Sequence, residues 1–111
     1  MPHERLLESN FGSRLNCYGW GDGIVSAGYG DRNPGTPSNN KRHTKVFGGT
    51  SGASAIIAGA TLLVQGWYWN NQKTLLRPDQ MRNILSTTGT TQGATLGGYI
   101  GVMPDLRRII P

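Results

Sequence analysis

The residue with the strongest chemical potential in this sequence is Ser51, set in the run GGTSGAS from Gly48 to Ser54. A serine at a glycine-flanked turn that opens a helix is well placed to act as a nucleophile. Gly49 permits backbone geometry that a larger residue resists, and a helix start leaves backbone N–H groups unpaired, Ser51's own among them. Those donors and the helix dipole favour negative charge, as on the oxyanion formed when a hydroxyl attacks a carbonyl. The small neighbours Gly52, Ala53, Ser54 and Ala55 keep the approach to the hydroxyl open. Serine and threonine are also ordinary helix caps, so three residues alone describe a capped core helix equally well.

Other reactive side chains are sparse. His43 lies eight residues before Ser51 in the hydrophilic run KRHTK, and His3 is near the terminus; both read as solvated surface groups rather than bases for Ser51. A local triad built from His43 with Asp22 or Asp31 is therefore not expected, because proximity in sequence does not orient an imidazole. Cys17 is alone, which rules out an internal disulfide, and no cysteine or histidine cluster has zinc spacing. No metal or other cofactor is evident. Lys41, Arg42, His43 and Lys45, with Arg32 nearby, form a basic stretch without a groove-reading motif or interleaved aromatics, so nucleic acid is not an expected partner. The turn GTSG lacks the lysine of a phosphate-binding loop, and Trp67, Tyr68 and Trp69 read as packing aromatics.

The elements that must hold Ser51 follow from the apolar blocks. Leu15 to Trp20 and Ile24 to Ala27 read as short strands between glycine turns, and residues 31 to 45 as a surface loop rich in proline and asparagine. Val46 and Phe47 resume a strand. From Ser51 to about Gln65 the residues are apolar or small on every side, the pattern of a buried helix. RPDQMRNILSTTG predicts a second, amphipathic helix with Pro78 and Asp79 in its first turn, Met81, Ile84 and Leu85 on one face and Gly89 as a stop. A glycine-rich turn, a short strand and a last short helix opened by Pro104 complete the chain. The order is that of an α/β domain.

Length and composition set the limits. At 111 residues the chain is one domain at most, of a size that buries roughly 60–70% of its unfolded surface. Seventeen glycines and six prolines indicate many turns, yet the apolar residues are gathered in blocks, unlike a disordered chain. Eleven Lys and Arg against six Asp and Glu give a net charge of +5, which attracts anionic surfaces without naming one. The longest apolar stretch, residues 53 to 64, is shorter than the about 20 residues a membrane span requires, and no signal peptide is read in the first residues.

The residues GTSGASAIIAG, 49 to 59, resemble the nucleophile signature of the subtilisin-like serine peptidases, G-T-S-x-A-x-P-x-V-A-G. Upstream, SNFGSRLNCYGWGDGIVSA, 9 to 27, is similar to the family's S-N-x-G segment and the two strands after it. Downstream, LLRPDQMRNILSTTG resembles the family's post-nucleophile helix with its L-x-P-x-Q-V-R-x-x-L pattern, and GYIGVMPDLRRI its closing segment. Ala55 stands where the family has Pro, and Gly52 where it often has Met. Neither change removes a reacting group, and alanine sustains a helix.

The resemblance implies the C-terminal portion of a subtilisin-like α/β fold, with parallel sheet strands, a buried nucleophile helix and an amphipathic helix. It implies a serine endopeptidase in which Ser51 attacks a peptide carbonyl, its N–H serving as an oxyanion donor, with Gly49 and Thr50 as the supporting turn. The aspartate and histidine of such a triad lie far upstream of the serine in this family, so these 111 residues by themselves are expected to be inactive. The expected partners are a polypeptide substrate and the part of the domain carrying those two residues. Structural calcium, common in the family, has no carboxylate cluster to which it can be assigned here. The family also suggests secretion. The alternative reading is a non-catalytic subunit that docks on a complementary chain.

Overall fold

The computed structural model describes residues 3–28, 42–93 and 97–110. In chain order these form β1 (Ile24–Ala27), β2 (His43–Phe47), α1 (Gly49–Gln72), α2 (Pro78–Thr87), β3 (Gly89–Thr91), β4 (Val102–Pro104) and α3 (Leu106–Ile109). The chain is thus mixed α and β, as its apolar blocks predict.

The expected parallel sheet is corrected by the strand pairing. β1 pairs antiparallel with β2, Ala27 opposite His43 and Ile24 opposite Phe47, with a register shift between Ile24 and Ser26. β3 pairs antiparallel with β4, Gly89 opposite Pro104 and Thr91 opposite Val102. Among the described residues, the parallel pairing is one isolated bridge from Cys17 to Val102. A parallel pair requires a crossover that returns the chain to the same sheet. Here α1 and α2 follow β2, but the next strand pairs with β4 instead of rejoining β1 or β2.

The block Leu15 to Trp20 contributes that bridge and no strand. The surface loop read over 31 to 45 is likewise shortened: His43, Thr44 and Lys45 belong to β2, and residues 31 to 41 lie outside the described residues.

α1 runs to Gln72, past the end expected near Gln65, so Trp67, Tyr68 and Trp69 are helical. Gly66 costs a helix interior roughly 1 kcal/mol. On either side of it, Val64 and Tyr68 pack into the core and hold the helix through that point. The helix stops at Lys73, whose left-handed backbone (φ +51) brings its N–H to the Trp69 carbonyl at 3.2 Å.

The expected burial of this helix holds on one side alone. Val64 is fully buried, and Ile57, Ala60, Thr61 and Tyr68 beside it are half-buried. At 100° per residue, Ala55, Ile56, Ala58, Gly59, Leu62, Leu63, Gly66 and Trp69 occupy an opposite arc about 160° wide, and all are exposed. Leu62 is 74% exposed and Trp69 54%. The helix is apolar all round, and the described residues cover one side.

The core lies where α1, α2 and α3 meet: Val64, Met81, Leu85 and Ile109 are buried, with Cys17, Tyr68, Leu76, Ile84, Leu106 and Ile110 packed against them. α2 has the amphipathic face the sequence predicts. Pro78 occupies its first turn and the Arg77 N–H donates to Gln80 Oε1 at 2.9 Å. α3 begins after Asp105, whose carboxylate accepts from the Arg107 N–H at 3.1 Å, rather than at Pro104, which ends β4. Among the described residues no helix is long and apolar enough to cross a membrane.

Candidate functional site

Ser51 is the third residue of α1 and is exposed. The turn before it is built from two glycines. Gly48 is extended, and Gly49 has φ +82, in the left-handed region that other residues enter at a cost. The Gly49 N–H donates to the Gly21 carbonyl at 2.7 Å, which fastens the turn to the segment before β1.

One turn further, Gly52 is buried where a Cβ would lie 2.5 Å from Ile24 Cδ1 and 3.2 Å from the Phe47 ring. The first turn of α1 therefore sits directly on the β1–β2 ribbon, and a residue as large as methionine at this position would push the two apart. Gly52 is thus fitted to this ribbon, and Ala55 is exposed and helical, so neither departure from the subtilase pattern interrupts the helix.

The electrostatics of the helix start suit an anion. In the first turn of an α-helix the leading N–H groups have no intrahelical acceptor. Gly49 spends its own on Gly21, which leaves those of Thr50 and Ser51 directed along the axis away from the helix. No side chain caps the turn and no acidic residue occupies it. No carboxylate of the first turn neutralises the helix dipole beside the exposed hydroxyl, although the Asp22 carboxylate lies next to the N-cap Gly48.

His43 is the first residue of β2, and at roughly 3.3 Å per residue the strand carries it about 13 Å from Phe47. Asp22 lies beside Gly48, and its Oδ1 accepts from the Gly23 N–H at 2.8 Å. Asp31 lies outside the described residues. The structure brings Gly49, Thr50 and Ser51 together as one turn.

A feature the sequence reading misses stands on the neighbouring side. His3, read as a solvated terminal residue, is half-buried: its Nδ1 and the Tyr18 hydroxyl lie 2.8 Å apart, and its ring meets Tyr18 and Trp20 edge-on at 6.1 and 6.3 Å. These three residues line a cavity of about 780 Å³ whose wall also includes Gly49, Thr50 and Ser54. Ser51 itself is not part of that wall. The alternation of Tyr18 and Trp20 was the available signal for a shared face; nothing in the spacing connects it to His3.

Burial pushes the Cys17 thiol and the Tyr18 phenol above their ordinary values, which keeps both protonated near neutrality. Among the described residues there is no group of three His, Cys, Asp or Glu side chains able to hold a metal ion. Comparison with protein-family models, curated proteins and solved structures yields no match to this chain.

Proposed function

We propose that this chain is the nucleophile-bearing portion of a subtilisin-like serine endopeptidase domain, with Ser51 as the residue acylated by a polypeptide substrate. The observation that carries the reading is the exposed Ser51 at the uncapped start of α1, after a glycine with φ +82 and next to N–H groups free to stabilise an oxyanion. In the forward step Ser51 Oγ bonds to the scissile carbonyl carbon while its proton passes to a histidine. The histidine then returns that proton to the leaving amine, and water hydrolyses the acyl-enzyme. The Ser51 N–H donates to the carbonyl oxygen as it becomes charged. In the family this chain resembles, the histidine and its aspartate lie far upstream of the serine, so both come from polypeptide outside these 111 residues.

A second reading is favoured by the exposed apolar arc of α1: a non-catalytic subunit that docks on a complementary chain. Fluorophosphonate labelling separates the two. The isolated chain should label no more than its Ser51→Ala variant. Joined with the polypeptide that supplies the aspartate and histidine, it should label at Ser51, and Ser51→Ala should lower turnover on the order of 10⁶-fold, the loss expected when a triad serine is removed. Labelling of the isolated chain at Ser51 would contradict the need for those residues. A completed domain that stays unlabelled would leave the docking subunit as the function.

A further inference from the structure

Between α1, α2 and the segment before β1 lies a groove of about 620 Å³ that does not include the Ser51 turn. Its floor is apolar, with Leu62 on the α1 side and Leu76 and Met81 on the α2 side. Among the polar side chains on the lining, Arg14, Asn16, Thr61, Gln65 and Arg82, three stand out. Arg14 and Arg82 are both exposed, and the Arg82 guanidinium is held by the Asn16 carboxamide, with Nη2 and Nε donating to Oδ1 at 2.8 and 3.2 Å. Its described partner is therefore neutral, and none of the described residues lining the groove is acidic. The third group is Gln65, whose Nε2 is buried without an acceptor among the described residues. An unsatisfied buried donor costs about 1–3 kcal/mol, which a turn of the Gln65 side chain toward an acceptor in the groove would relieve.

We propose that this groove docks an apolar polypeptide segment carrying a carboxylate. The carboxylate meets Arg14 and Arg82, the apolar side chains cover Leu62, Leu76 and Met81, and a backbone carbonyl of the segment accepts from Gln65 Nε2. Charge complementarity selects the acidic residue on a chain whose net charge is +5. The Gln65 donor selects polypeptide over a fatty acid, since an acyl chain has no acceptor along its apolar length. The inference does not depend on Ser51 being a nucleophile.

Fluorescence anisotropy tests it on the full chain with a fluorescein-labelled, leucine-rich peptide bearing one internal glutamate, a counterpart with glutamine in its place, and laurate as competitor. The glutamate peptide should bind saturably, and Arg14→Gln and Arg82→Gln should each weaken it about two- to fivefold, the range of an exposed ion pair. Either variant should shrink the preference over the glutamine peptide. Leu62→Asp should abolish binding, and because Leu62 is exposed the variant should keep its far-ultraviolet circular dichroism. Ser51→Ala should bind like the parent chain, which separates this result from the fate of the peptidase reading. Equal binding of the two peptides, no saturation below about 1 mM, or laurate binding more tightly than the peptide would overturn the proposal.

Discussion

Replacing Gly49 by alanine isolates the backbone conformation that presents Ser51. A Cβ built on Gly49 has no atom within 4 Å, so the substitution meets no neighbour and its cost is conformational alone. With φ at +82 an L-residue is strained by roughly 1–2 kcal/mol, which exceeds what alanine recovers by stiffening the unfolded chain. Asparagine, which tolerates this region better, should cost less, and valine more.

Gly66 supplies the control. It too has open space around a Cβ, but it lies inside α1 without a positive φ, so Gly66→Ala should stabilise by about 1 kcal/mol. Urea unfolding followed by circular dichroism measures both, and thermal unfolding should separate them by roughly 4–8 °C for each kcal/mol. A Gly49→Ala variant as stable as the parent, or one that shifts in the same direction as Gly66→Ala, would refute the strained turn and with it the geometry assigned to Ser51. Where the turn is strained as described, Gly49→Ala should also lower fluorophosphonate labelling in the completed domain.

Two further outcomes follow from the packing and the charges. Val64→Ala removes two methyl groups from a fully buried site where α1 meets the rest of the core, and should cost about 2–3 kcal/mol in urea unfolding. The hydrogen bond from Arg77 holds the Asp79 carboxyl below its ordinary value, so the stability it contributes is fully present above the unfolded value of about 3.9 and is lost as pH falls through the lower folded value. Asp79→Asn should therefore flatten stability against pH below about pH 4 and leave the neutral region nearly unchanged, as both partners are exposed.

The residues that could be read in advance are those whose signal is local. α2 is written in its own sequence: Pro78 sets the first turn, and Met81, Ile84 and Leu85 recur on one face. The turn at Gly49 to Ser51 is equally local, because paired glycines between an apolar strand and an alanine-rich run leave few other conformations. The uniform apolarity of α1 predicted a helix but placed its end near Gln65, short of the observed Gln72. Its continuation through Gly66 depends on Val64 and Tyr68 finding partners on α2 and α3, and its end on the left-handed Lys73.

What the sequence by itself determined is thus a helix with a serine at its start and an amphipathic helix after it. Pairing depended on the tertiary structure. A four-residue run such as Ile24 to Ala27 carries no information about whether its neighbour runs alongside or against it, and here β2 returns antiparallel while β3 turns to β4. The tertiary structure likewise draws His3 to Tyr18. Side-chain reach is a few ångströms, whereas the path of an extended strand carries a residue more than ten. The sequence can mark Ser51, but three-dimensional placement decides which groups face it.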